Sequence, residues 1–353
     1  MIDCQIINPG DFDTCPPAQE ANYSRKLLEW IAENAFLKSK VFESTIDLGG
    51  KEYFCFSISA IDSDNNEYLG FGRSNSRLEA ASIASGEVIE RLIAKKILKT
   101  TEVISTNSVV KIENSEISVT QSKTQTALPS PGFHSSNGWA VHFSLKSALE
   151  NSVIEALERH ILLYTYLHSG WHSFQIDSQV PFKSQTLTPY ISKFSFGGFS
   201  AGIVATEGKE FPGRTFGYLC DDATEINNSP KWLNAFFESY CQWDAFVKNK
   251  PQSIDENWLR KYQHHFLNHT HEAQDGKSFK RSDHPKVESN ILMLDIQKVL
   301  DLPVPLVGAY TFGRDLIPLF FKQKLSIDES LALGNLLKKW DLPPELPEYH
   351  PIL

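Results

Sequence analysis

The chain is 353 residues long, 41% hydrophobic and 22% charged, with 34 Lys and Arg against 43 Asp and Glu for a net charge of −9. This composition is that of an ordinary globular protein with a sizeable core, and its acidity argues against a general nucleic-acid binder, which needs clustered Lys and Arg for phosphates. No window offers the roughly 18 apolar residues of a membrane-spanning helix, and the scattered Cys4, Cys15, Cys55, Cys220 and Cys241 contain no CxxC pair, so neither a zinc site nor a disulfide framework is expected.

The opening MIDCQIINPGDFDTCPP has neither a basic start nor an apolar run, so it does not read as a signal peptide, and residence in the cytoplasm is expected. Met1 to Glu20 reads as an irregular arm, and Tyr23 to Leu37 carries the apolar spacing of an amphipathic helix (Leu27, Leu28, Ile31, Phe36). VFESTIDL and YFCFSISAI read as strands joined at Gly49-Gly50, and Asn65-Asn66 marks a turn before YLGFGRS. Ser76 with Glu79 forms a capping box that starts a helix from Arg77 to about Leu98. TEVIST and SEISVT, within Thr101 to Lys123, alternate as edge strands or a variable insertion, and TALPSPGFHSSNG is a small-residue loop.

A second long helix follows Ser144 as its N-cap, with Leu145, Leu149, Val153 and Leu157 on the apolar side. Strand-like segments and glycine clusters alternate from Pro181 to Cys220, and a third long helix is expected over Lys231 to Asn249, burying Trp232, Phe236, Tyr240, Trp243 and Val247. Gln252 to Val287 is polar and His-rich, a surface excursion. ILMLDI and PVPLVGAY read as strands, Leu331 to Trp340 as a short helix, and PPELPEYHPIL as an extended tail. The expected division is an arm and helix over 1–40, then one domain over 41–353 that includes the excursion at about 252–287 and the tail at 343–353.

The chemistry-bearing signal is a repeated ExxER: Glu87, Glu90 and Arg91 on one predicted helix, Glu155, Glu158 and Arg159 on another. Carboxylates at i and i+3 share a helical face, and a single such motif is ordinarily a solvated face with local ion pairs. Two copies in Ala/Ser/Val/Ile-rich helices point instead to a four-carboxylate pocket, stable only with cations in it. Mg²⁺ shared with substrate phosphates fits that donor set, with Arg91 and Arg159 balancing charge or holding phosphate oxygens. The two helices also hint at an internal duplication. Other motifs are weaker. GFGRSN lacks the third glycine of a dinucleotide loop, DGKS lacks the first glycine and the strand of a P-loop, His265 and His269 sit in a solvated segment, and Cys220 and Cys241 read as core packing.

SGEVIER (Ser85 to Arg91) and SSNGWAVHFSLKSALENSVIEALER (Ser135 to Arg159) resemble the two glutamate helices of the YcaO superfamily and the loop before the second. The resemblance extends from about Val41 to the end and is strongest to the cyclodehydratase subunit of microcin-type azole synthetases, with FESYCQW and KYQHHF similar to its later segments. It implies an α+β fold of mixed or antiparallel sheets packed with long glutamate-bearing helices. It also implies an ATP site in which Glu87, Glu90, Glu155 and Glu158 hold Mg²⁺ and phosphate, Ser136, Asn151, Arg91 and Arg159 contact nucleotide, and Glu238 and Gln242 add to the site from the third helix. The implied reaction is attack of a Cys, Ser or Thr side chain on the preceding backbone amide of a ribosomally made peptide, phosphorylation of the oxyanion by ATP, and loss of phosphate to leave a thiazoline or oxazoline. The implied partners are the precursor peptide, a leader-binding E1-like protein and an FMN-dependent dehydrogenase in a synthetase complex.

Three departures narrow that reading. Ile83 stands one turn before Glu87, where relatives often have a polar residue. No Arg lies between Lys231 and Asn249, leaving Arg314 as a substitute. The tail, with Pro351 and the terminal Leu353 carried over as active-site residues, lacks the last proline of PxPxP. Thioamide or amidine formation at the same site is the alternative, and a non-catalytic scaffold is a third reading opposed by the four glutamates.

Overall fold

The computed structural model describes residues 17–33, 38–48, 51–99, 105–127, 138–168, 170–173, 186–208, 211–249, 270–271, 282–317 and 327–342. Ser136, Pro351, Leu353, His265, His269 and the DGKS motif lie outside them.

The first unit is a meander of β1 (Lys38–Leu48), β2 (Lys51–Ile61) and β3 (Glu67–Ser74), all antiparallel, followed by α2 (Arg77–Lys99). α2 lies on the face built by Phe56, Ile58 and Ala60, which alternate with less buried neighbours along β2. α1 (Pro17–Glu33) packs on α2 through Leu27 and Ile31, and the Ser24 hydroxyl donates to Ser82 Oγ at 2.8 Å. This helix starts inside the expected arm, with Pro17 at its first position, where the missing N–H costs nothing. The capping box is only half realised. Ser76 Oγ accepts from the Glu79 N–H at 3.4 Å, but the Glu79 carboxylate accepts from the Ser74 hydroxyl at 2.5 Å.

The central sheet runs β5 (Glu116–Ala127), β4 (Ser105–Glu113), β13 (Lys286–Asp295), β14 (Val307–Phe312), β6 (Trp139–His142). β5, which carries the EISVT of SEISVT, is an edge strand as expected, whereas β4 is interior; Thr101 to Ile104 of TEVIST lie outside the described residues. β14 is buried at every position because its two faces enter different cores: Val307 and Ala309 join the one around α3, Tyr310 and Phe312 the one around α2. That double burial explains the unbroken apolar runs of β13 and β14. α3 (Leu145–Leu167) is capped by Ser144 as expected. On its far face His160 lies within 4.5 Å of the Phe196 ring and 5.3 Å of the Trp340 ring, between centroids, and its Nδ1 accepts from the Ile317 N–H at 3.1 Å.

The third sheet orders β10 (Phe211–Asp222), β9 (Phe199–Gly208), β8 (Thr186–Phe196), β7 (Trp171–Ser173), β11 (Thr270–His271), with β12 (Ser282–His284) parallel to β8. The end of the expected surface excursion is thus pairing, and Val287 is fully buried. One face of this sheet packs on α3 through Ala201, Ile203 and Ala205, the other on α4 (Trp232–Asn249) through Val204, Leu219 and Trp232. A short α5 (Ile296–Leu300) precedes β14, and α6 (Ile327–Lys339) starts four residues before the expected Leu331.

The duplication differs from the expected one. The element repeated is a three-strand meander followed by a helix, β1–β3 with α2 and β8–β10 with α4. A Cβ on Gly70 would stand 2.1 Å from the Ala84 carbonyl oxygen, and one on Gly217 would stand 1.9 Å from that of Ala235. Only glycine lets each strand lie so close to its helix.

Candidate active site

The close approach of strand to helix has a chemical consequence one residue further on. The Phe71 N–H, beyond Gly70, donates to Glu87 Oε2 at 2.6 Å, and the Tyr218 N–H, beyond Gly217, donates to Glu238 Oε2 at 3.1 Å. Glu90 Oε1 accepts from the Val141 N–H of β6 at 3.0 Å, and Glu155 is held by the Gly138 N–H. Gly138 has φ +77, and a Cβ there would meet the Thr311 carbonyl oxygen at 2.4 Å, so no side chain fits where the chain turns into β6. Each of these four carboxylates is oriented by a backbone amide, which cannot swing away.

The charges face one another. Burial and the neighbouring Glu155 and Glu87 charges push Glu90 well above the ordinary carboxylate range. Burial pushes Glu155 up to about 8, against Arg159 and with help from Glu158 and Glu87, and pushes Glu158 up to about 7, again against Arg159 and with help from Glu238. Glu238 is raised by burial, against Arg159. Five glutamates from α2, α3 and α4 therefore share one field, with Arg159 the cation common to Glu155, Glu158 and Glu238. The Arg159 Nη1 is 3.4 Å from Glu158 Oε1, its side chain is 18% exposed, and its guanidinium lies 5.2 Å from the centre of the Tyr218 ring. Its Nε and Nη1 have no hydrogen-bond partner although both are buried.

Those observations test the implied ligand. Buried carboxylates under mutual repulsion call for a cation, and buried guanidinium N–H groups without acceptors call for an anion. Magnesium with nucleotide phosphates meets both demands. Among the described residues no three carboxylate, imidazole or thiol side chains are grouped so as to hold a metal ion. Four of the five glutamates, all but Glu158, instead follow their own amides, so phosphate oxygens and water would complete the metal's shell. Beside Glu87 and Glu90 opens a cavity of about 770 Å³, also lined by Ser24, Ile83, His142 and Asn151, within the size range of ligand pockets.

Most expected site residues are thus brought together: Glu87, Glu90, Glu155, Glu158, Arg159 and Glu238 in the cluster, Asn151 on the cavity wall. Arg91 is spent on Glu87, with which it forms an ion pair one turn away. Gln242, half-buried, lies one turn beyond Glu238. Arg314 is elsewhere. Its guanidinium donates to Asn290 at 2.9 Å, Glu288 at 3.1 Å and Ser122 at 3.2 Å on the central sheet, so it does not replace the missing third-helix arginine. Sequence reasoning missed Arg73 on β3, whose charge bears on Glu238, and Tyr218 under Arg159. The signal was a glycine–aromatic step before each glutamate helix, GF at Gly70 and GY at Gly217.

No protein-family model matches the sequence and no curated protein aligns with it. Solved structures do. YcaO from Methanopyrus kandleri, solved with AMPPCP and Mg²⁺ bound, superposes with a TM-score of 0.50 at 14% identity over 81% of this chain and 89% of that one. A heterocyclase in complex with substrate and cofactor superposes with a TM-score of 0.55 at 12% identity over 98% of this chain, which spans 58% of that longer protein. The chain has the YcaO fold, as its two ExxER helices led the sequence to predict.

Proposed function

We propose that this protein is an ATP-dependent enzyme of the YcaO type that activates backbone amides of a peptide, acting as a cyclodehydratase that forms thiazoline or oxazoline from Cys, Ser or Thr. The observation that carries the reading is the cluster itself: five glutamates on three helices, three of them about Arg159, whose buried Nε and Nη1 have no hydrogen-bond partner. The nucleotide complex of the Methanopyrus kandleri structure supports it by likeness of fold.

ATP supplies the phosphoryl group and Mg²⁺ the charge neutralisation, and phosphoryl transfer asks little more of a protein than position and electrostatics. The chain's own residues do this work. Glu87, Glu90, Glu155 and Glu158 would hold the metal, the first three with oxygens aimed by fixed amides and Glu158 paired with Arg159. Arg159 would donate Nε–H and Nη–H to phosphate oxygens, and Arg73 would add positive charge from β3. Asn151 and the cavity beside Glu90 would take the rest of the nucleotide. Burial withholds water from the acceptor and strengthens each charge interaction. A precursor peptide, a separate E1-like leader-binding protein and an FMN-dependent dehydrogenase complete the proposed synthetase, and the cytoplasm is its proposed compartment.

A second reading is thioamide or amidine formation at the same site, because a change of nucleophile leaves the ATP chemistry unchanged. Phosphate release from Mg-ATP in the presence of precursor and partner tests the site. Glu87→Gln and Glu155→Gln are each expected to lose at least about a hundredfold, and wild-type rates in both would refute it. The mass of the co-expressed peptide separates the chemistries: loss of a water per modified residue means azoline, exchange of oxygen for sulfur means thioamide.

A further inference from the structure

Two thiols at the seam between the repeated units have no part in the reaction proposed above. Cys55 lies on β2 and Cys241 on α4. The Cys55 thiol is hydrogen-bonded to Cys241, and both are partly exposed. The contact does not depend on the sulfurs alone. Tyr53, on the same face of β2, meets the ring of Phe237, one turn before Cys241, with centroids 4.6 Å apart. Arg73 is the cross-strand partner of Cys55, and its charge bears on both Cys55 and Glu238. The pair therefore sits at the margin of the glutamate cluster, on the face of the first sheet turned away from α2. Core packing, expected for both Cys220 and Cys241, holds for Cys220, which is buried, and not for Cys241.

We propose that Cys55 and Cys241 are a thiol–disulfide site, oxidised by a low-molecular-weight disulfide such as glutathione disulfide, that staples the first repeated unit to the second beside the glutamate cluster. The hydrogen bond to Cys241 and burial hold the proton on Cys55, against the pull of Arg73, so Cys241 is the attacking sulfur. Its thiolate attacks one sulfur of the incoming disulfide and displaces one glutathione thiolate. Cys55, giving its proton to solvent, then attacks the Cys241 sulfur and displaces the second. The two cysteines lose two electrons and two protons, and one glutathione disulfide becomes two glutathiones. The new bond draws the sulfurs to about 2.05 Å, pulling α4, with Glu238 one turn before Cys241, toward β2. The effect on turnover rests on the Mg-ATP reading of the cluster; the chemistry of the thiols does not.

The full chain is incubated with excess glutathione disulfide, digested without reduction and analysed by mass spectrometry. The expected product is a peptide pair joined through Cys55 and Cys241, lighter by two hydrogens than the reduced pair. Thiols that stay reduced, or that each carry glutathione, overturn the proposal. Closing so long a loop constrains the unfolded chain, so the melting temperature of the oxidised protein should rise by several degrees, and neither Cys55→Ser nor Cys241→Ser should show the rise. Mg-ATP turnover should fall by about tenfold or more on cross-linking and return with dithiothreitol. Full turnover in a fully cross-linked sample would overturn the staple's hold on the site. A reduced protein that never hydrolyses ATP would count against the ATP reading and leave the mass and melting results to decide this one.

Discussion

The two meander-and-helix units use one backbone device and surround it differently. In both, a glycine lets the strand touch the helix, and the next N–H fixes a glutamate, Phe71 with Glu87 and Tyr218 with Glu238. One turn beyond, the first unit has Arg91 paired with Glu87, the second only Gln242. At the position after each glutamate the first unit buries Val88. The second places Ser239, which exchanges hydrogen bonds with Thr215 and Thr206. Phe71 is 42% exposed, whereas Tyr218 lies under Arg159 because α3 covers that side of the third sheet. The backbone geometry is common to both units and the chemistry is local, so the anchoring of the glutamates is separable from the charge placed beside them.

The largest test attacks the shared device. Gly70→Ala and Gly217→Ala each set a Cβ about 2 Å from a helix carbonyl, and each should cost about 3 kcal/mol in urea unfolding. Near-equal losses sharpen the comparison, and a tolerated Gly217→Ala breaks it. Next comes acidity. Glu155 titrates at about 8 in the fold against an ordinary carboxylate value when unfolded, so the fold keeps a proton that the unfolded chain releases. That stability is complete below about pH 4.5 and is lost as pH rises through 8. Glu158, at about 7, and Glu90 and Glu238 act in the same direction. The melting temperature of the nucleotide-free protein should fall from pH 6 to pH 8.5. Glu155→Gln should flatten that slope, raise the value at pH 8.5 by about 2–5 °C and abolish the further rise given by Mg-ATP. A steeper slope in the variant would contradict the burial of Glu155. Least in size is Gln242→Arg, which returns to α4 the arginine that α2 carries. It should lower KM for Mg-ATP by about two- to fivefold, about 0.5–1 kcal/mol, with unfolding nearly unchanged; a raised KM would mean that Arg73 already fills that role.

The cluster was legible where its logic is helical. Glu87, Glu90, Glu155 and Glu158 announce themselves because i and i+3 share a face whatever the tertiary structure. Glu238 lacks such a partner, and only family likeness pointed to it. Arg73 and Tyr218 sit on strands, whose neighbours are chosen by pairing that local pattern does not encode. The repeat was misassigned because ExxER is conspicuous and the shared glycine–aromatic step is not, and because unequal loops separate each glycine from its glutamate. The pairing of Cys55 with Cys241 joins distant segments and leaves no local trace. β4 looked like an edge because alternation reads the same on any strand with one face less covered.

The double burial of α3 bears on what mutation can reach. Its residues face the glutamate cluster on one side and the aromatic packing of His160, Phe196 and Trp340 on another, so it has no broad outer flank on which substitutions are neutral. In a saturation library, the fitness profile of α3 should lack the three-to-four-residue rhythm of tolerance that a surface helix shows. Variation would then enter this protein through α1, β1 and the outer side of α6, leaving α3 as the stretch where lineages differ least.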